Sequence, residues 1–223
     1  MREVRQGRAR GAALKAATAV LVLGAVTGCS SEQAADAEAG ARSTADATAT
    51  AAAAGSAKKG ATIGGPDSPC PMPVTIDVAA DWKPEAVESG GADDEFGALL
   101  RQGPVTLVCE IDAKPAGNIG FLRVWAGGKA GDDAREALRA FVADAAKSRE
   151  KETYTVTKAG ERDAVEVTYV NTDDLLDEPK KERAFAVATP EGVVVVDLGG
   201  LDTQEHEEML PAYELARKSL RTG

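Results

Sequence analysis

Three cysteines, Cys29, Cys70 and Cys109, and a single histidine, His206, are the side chains of this 223-residue chain best suited to thiol or metal chemistry. They leave little material for zinc, haem or iron–sulfur chemistry. His206 stands in Gln204-Glu205-His206-Glu207-Glu208, where a carboxylate at helical spacing could share a metal, but a zincin-type site needs a second histidine. The segment reads instead as the polar first turn of a helix, its acids complementing the dipole. A catalytic thiol is unsupported, because His206 is the only candidate base. The acidic run Asp173-Asp174-Leu175-Leu176-Asp177-Glu178 lacks the alternating ligands, turn glycine and closing glutamate of an EF-hand. Lys180, Lys181 and Arg183 follow it at once, so it reads as a self-compensating loop, and Asp93-Asp94-Glu95 is no stronger. The glycine pairs at 64–65, 90–91, 127–128 and 199–200 fit neither a phosphate loop nor GxGxxG, and no Gly-x-Ser-x-Gly elbow occurs. Trp82 and Trp125 could line a sugar or apolar site but read first as core. No catalytic residue, metal ligand or cofactor is assigned.

Cys29 has the most distinctive setting of the three thiols. Arg2, Arg5, Arg8, Arg10 and Lys15 stand against a single Glu3, and an uncharged stretch, Ala16–Val26, precedes Thr27-Gly28-Cys29. A basic region, a short apolar region and small residues before a cut make a secretory signal. The apolar stretch is too short to span a bilayer, which takes roughly 20 residues. Val26-Thr27-Gly28-Cys29 resembles the bacterial lipobox. The resemblance implies a signal peptide over 1–28, a diacylglyceryl group on the Cys29 thiol and cleavage just before it. Two or more acyl chains anchor stably where one gives only marginal binding. No adjacent arginine pair precedes the apolar region, which favours general secretion over the twin-arginine route. The expected location is the extracytoplasmic face of the cell membrane, lipid-anchored through Cys29.

Behind the leader, composition separates a tether from a domain. Hydrophobic residues make up 43% of the chain and charged residues 28%, enough for a packed core, while the net charge of −10 argues against nucleic acid as a partner. Residues 29–68 are low-complexity: half of those between Ala34 and Ala61 are alanine, and Ile63 is the only large aliphatic. Such a segment buries too little apolar area to offset its ordering entropy, so it reads as a disordered tether with a reach on the order of 35 Å.

Residues 69–223 carry the pattern of one α+β domain. Val74, Ile76 and Val78 alternate with Thr75 and Asp77 as a strand; Val105–Ile111 and Ile119–Trp125 read as two more, joined by Lys114-Pro115-Ala116-Gly117-Asn118. Ala134, Ala137, Leu138, Phe141, Val142 and Ala145 form one apolar helical stripe, with Asp133 and Glu136 as a capping box. Strands follow at Tyr154–Lys158, Ala164–Val170, Arg183–Ala188 and Val193–Leu198. A closing helix runs from about Thr203 to Arg221, capped by Asp202 and Glu205, with Pro211 predicting a kink or two pieces. Short connections require antiparallel pairing. The expected architecture is a twisted antiparallel sheet of about seven strands packed by two main helices. In an exported domain Cys70 and Cys109 read as one disulfide between neighbouring strands, worth about 4 kcal/mol by loop entropy; the alternative is a buried Cys109 beside an unrelated Cys70 thiol.

This element order, with Trp82 soon after the first strand, resembles the PsbP-like fold, including mycobacterial LpqN-type lipoproteins. The final segment, Gly199-Gly200-Leu201-Asp202 through Pro211-Ala212-Tyr213-Glu214-Leu215-Ala216, is similar to the ends of small actinobacterial lipoproteins. The resemblance implies an accessory or binding module and brings no catalytic motif. The expected function is a non-catalytic envelope lipoprotein that binds an envelope protein, a lipid, a cell-wall component or a small apolar ligand. The alternatives are a small carboxylate-based hydrolase and a structural spacer. A cleft with two converging, pKa-shifted acids would favour the enzyme, and a shallow apolar groove the binding module.

Overall fold

The computed structural model describes residues 57–88, 95–172 and 178–223. Along the chain lie β1 (Lys59–Ile63), β2 (Val74–Ala79), β3 (Lys83–Ala86), α1 (Glu95–Leu99), β4 (Arg101–Gln102), β5 (Val105–Asp112) and β6 (Gly120–Gly127). They are followed by α2 (Ala134–Ala145), β7 (Arg149–Ala159), β8 (Arg162–Thr172), β9 (Pro179–Thr189), β10 (Gly192–Gly200), α3 (Thr203–Ser219) and β11 (Arg221–Thr222). The fold is α+β. The main sheet has the order β3-β5-β6-β10-β9-β8-β7, with β4 also pairing β5, and the smaller sheet the order β1-β2-β11. Every pairing is antiparallel.

Alternation along the strands sorts the core into two layers. Leu122 and Val124 of β6, Phe185 and Val187 of β9, and Val194, Val196 and Leu198 of β10 face α3 and the smaller sheet, packing with Val74, Ile76, Met209 and Tyr213. The intervening residues Trp125, Ala184, Ala186, Val193 and Val195 face α2 and its Leu138, Phe141 and Val142. A fully buried side chain of this size contributes about 1.5–3 kcal/mol. Asp133 caps α2 by accepting from the Glu136 N–H at 2.9 Å, and Asp202 caps α3 by accepting from Glu205 N–H at 2.8 Å. Gly160 turns β7 into β8 at φ +55°, donating its N–H to Arg217 O at 2.8 Å. A Cβ there would stand 1.9 Å from Leu220 O, so this turn closes onto the end of α3 only as glycine.

Three expectations are corrected. Residues 59–63, placed by composition in the tether, form β1; it pairs with β2 from Lys59 to Ile63, so folded structure begins before Pro69. The partner strand supplies the hydrogen bonds and the buried seat for Ile63 that local composition does not announce. The first predicted strand, now β2, lies outside the main sheet, in the smaller one. The closing helix is one piece through Pro211 rather than two, since burial of Met209, Ala212, Tyr213 and Ala216 outweighs one missing helical hydrogen bond.

Candidate functional site

Helix α2 covers only part of its face of the main sheet. Trp125 marks the limit of that cover: its ring meets Phe141 of α2 edge-on at 5.3 Å, and its indole N–H donates to Asp197 Oδ1 at 2.5 Å. Beyond it the same strands continue without a lid. The exposed floor is a cleft of about 440 Å³ lined by Phe121, Arg123, Tyr169, Lys180, Glu182 and Asp197, among others.

Register explains why these charges meet. Glu110 of β5 pairs with Arg123 of β6, and Arg123 pairs with Asp197 of β10, giving a cross-strand row of alternating charge. Arg123 Nε donates to Glu110 Oε1 at 2.7 Å, and its guanidinium lies 4.8 Å from the Phe121 ring centroid. One strand further, Lys180 holds Glu182 Oε1 at 3.0 Å and donates to Gly200 O at 3.0 Å. Burial pushes the Asp197 carboxyl up to about 6, against the pull of Arg123 and the Trp125 N–H. Burial likewise pushes Glu182 up to about 7; Lys180 opposes this and the Asp197 charge adds to it. Both acids therefore change charge near neutrality.

Gly199, two residues beyond Asp197 on the same face, has no side chain to fill the floor. A Cβ at Gly199 would sit 3.4 Å from Arg123 Nη1 and 4.0 Å from Glu182 Oε2. Opposite charges thus face each other across a gap without forming an ion pair. At one end of the cleft Ile119 and Leu201 are 56% and 51% exposed, although both are firmly held. Leu201 N–H donates to Ile119 O at 3.0 Å, and Ile119 N–H donates to Glu205 Oε2 at 3.0 Å. Two exposed aliphatic side chains on a fixed backbone make a preformed apolar lip.

The residues singled out from sequence fall elsewhere. Val26, Thr27, Gly28 and Cys29 lie outside the described residues, as do Asp93, Asp94 and Asp173–Asp177. Cys70 and Cys109 form a disulfide with a Cα–Cα distance of 5.7 Å. They are not on neighbouring strands of one sheet: the bond ties the segment leading into β2 to β5 of the main sheet. Trp82 and Trp125 are core residues, and Trp125 also supplies the N–H on the cleft floor. His206 is not part of a solvated turn. It is 3% exposed against the sheet, with Nδ1 unpartnered, and burial together with Arg183 and Lys181 pulls it down to about 4. No group of three or more metal-ligating side chains converges among the described residues.

Sequence reading missed Arg123, Lys180, Glu182 and Asp197. The available signal was a charge inside an apolar strand: Asp197 ends the valine run of β10, and Arg123 interrupts Phe121-Leu122-Arg123-Val124-Trp125. Each is in phase with a core-facing neighbour, which a strand buried to its end would not tolerate.

Among solved structures, the chain is similar to cyanobacterial PsbP (CyanoP) from Synechocystis sp. PCC 6803, at 10% identity and a TM-score of 0.45, over 68% of this chain and 87% of that one. No curated protein matches it in sequence. A family model described as "Uncharacterised lipoprotein" matches residues 39–220. The chain therefore belongs to this lipoprotein family.

Proposed function

We propose that this protein is a lipid-anchored binding module on the extracytoplasmic face of a bacterial cell membrane, non-catalytic, with its ligand site in the cleft beside α2. The basic leader, apolar stretch and lipobox ending at Cys29 support the anchor, as does membership of a lipoprotein family. Kinship with actinobacterial LpqN-type lipoproteins belongs to the same proposal. The observation that carries the binding role is the part of the sheet face beyond α2, where fixed charged and apolar groups surround an open cleft. The floor is mixed in charge, so a purely apolar ligand is a poorer fit than one with polar groups.

A second reading, a carboxylate-based hydrolase, is favoured by the pairing of Glu182 and Asp197 with raised pKa values in one cleft. Against it, one oxygen of each acid is already held, by Lys180 and by the Trp125 N–H. Among the described residues no Ser, Cys or His lines the cleft.

The test is photo-cross-linking in living cells from position 201 on the cleft lip and from position 156, where Val156 is 70% exposed on edge strand β7. A specific adduct at 201 and none at 156 is expected, with Cys29→Ala releasing the protein from the membrane fraction. Equal adducts at both positions would remove the cleft from consideration, and membrane retention of Cys29→Ala would remove the anchor. Turnover of a glycoside or ester that Glu182→Gln abolishes would establish the hydrolase instead.

A further inference from the structure

The strongest unexplained feature is the gap above Gly199. Arg123 Nη1 and Glu182 Oε2 lie within 4.0 Å of the point a Gly199 Cβ would occupy, yet Arg123 and Glu182 form no ion pair with each other. Arg123 is fixed through Nε by Glu110, which leaves its two terminal nitrogens without a hydrogen-bond partner among the described residues. Asp197 Oδ2 and Glu182 Oε2 are similarly unengaged, because the fixed bonds use the other oxygen of each acid. An isolated fork of N–H donors matches a carboxylate in a bidentate manner. A pair of half-shielded carboxylate oxygens matches an ammonium group. Both are presented across one gap, with the Ile119–Leu201 lip at the cleft end.

We propose that the cleft binds a zwitterionic ligand of the free α-amino-acid type, its carboxylate on Arg123, its ammonium on Asp197 and Glu182, and an apolar side chain on the Ile119–Leu201 lip. This inference rests on the reading of the cleft as a binding site and adds the ligand's chemistry. Charge balance supports it. The floor carries Arg123 from β6, Tyr169 from β8, Lys180 and Glu182 from β9, and Asp197 from β10, while Phe141 and Ala145 of α2 bring no charge. A ligand bearing only an anion would meet the two carboxylates of Asp197 and Glu182, and one bearing only a cation would meet Arg123 and Lys180. A zwitterion satisfies both sides without changing the net charge of the site.

A proton signature follows. An ammonium seated on Asp197 and Glu182 favours their ionised forms, so binding releases protons wherever those acids are still protonated in the free protein. With the two acids at about 6 and about 7, affinity rises from pH 5 to pH 8. The rise should be about tenfold or more. An anion bound alone would take protons up, and affinity would fall over the same range.

The test uses the full chain in detergent with leucine, N-acetylleucine, leucinamide and cellobiose as probes, followed by calorimetry and amide chemical shifts. Leucine should bind and shift cleft resonances, and blocking either its amine or its carboxylate should weaken binding at least tenfold. Arg123→Gln should erase the preference for leucine over leucinamide. Gly199→Ala puts a methyl into the gap at ordinary contact distance, so it should cut leucine affinity at least tenfold while the thermal melt stays unchanged. Equal binding of leucine and its blocked forms, or cleft shifts from cellobiose alone, would overturn the zwitterion and leave the cleft as a binding site. No leucine binding would also overturn it, and the cross-linking at position 201 would then decide the cleft separately.

Discussion

In β10, Val194, Val196 and Leu198 point toward α3 and β2, while Val193, Val195, Asp197 and Gly199 point toward α2. The α3 side is apolar to the end of the strand and closed by two layers, a helix and a second sheet. The α2 side begins apolar and turns polar where the helix stops. One strand thus serves a dry interface on one side and a wet floor on the other, and the change occurs at Trp125 and Asp197. Side-chain polarity tracks the cover over each position rather than the strand it belongs to, because an uncovered apolar residue gains nothing from burial. The proposed ligand site thus lies on the side whose cover is incomplete.

The sharpest way to break this comparison is a pair of matched truncations. Phe185→Ala, under α3, should cost about 3–5 kcal/mol in urea unfolding. Phe121→Ala, on the cleft floor, should cost no more than about 1 kcal/mol, because its ring is only partly covered. Similar losses from the two would show that both sides are equally structural. The disulfide comes next, since Cys70 and Cys109 both lie in the α3-side core. Replacing both cysteines with serine should cost roughly 2–4 kcal/mol, mainly through the unfolded chain, while leaving cleft resonances in place. Displaced cleft resonances would mean that the two sides are coupled.

The smallest effect is in pH dependence, where the two sides have opposite signs. Asp197 and Glu182 have raised pKa values in the fold, about 6 and about 7, so the unfolded chain loses their protons first. Their stabilising contribution is complete at about pH 4 and is lost as pH rises to about 7. His206 is lowered from 6.5 to about 4, so its contribution is complete above pH 6.5 and is lost as pH falls toward 4. Asp197→Asn with Glu182→Gln should flatten the decline toward neutrality, and His206→Gln should flatten the decline toward acid. Each should alter the midpoint of thermal unfolding by several degrees across that range, at about 2–4 °C per kcal/mol. Identical pH profiles for the wild type and both variants would remove these groups from the stability balance.

The elements were largely legible in the chain because their signals are local. The apolar stripe from Ala134 to Ala145 and the cap at Asp133 need only helical periodicity. The strands from Val105 onward need only alternation and the turns between them. β1 was hidden, since Lys-Gly-Ala-Thr-Ile has no strand signature until β2 supplies a partner. His206 was hidden as well: four polar neighbours describe a solvated turn, and the ring is buried only because of how α3 seats on the sheet.

The amino-acid order by itself determined the antiparallel α+β character and the positions of both main helices. These follow from composition and short-range periodicity, which act within a few residues. Tertiary structure alone decided that Arg123, Lys180, Glu182 and Asp197 share one floor and that Gly199 leaves a gap between opposite charges. Four consecutive valines in β10 conceal which residues face which layer. That phase is set by pairing with β6 and β9 and by where α2 ends, contacts between segments far apart in the chain that no local pattern encodes.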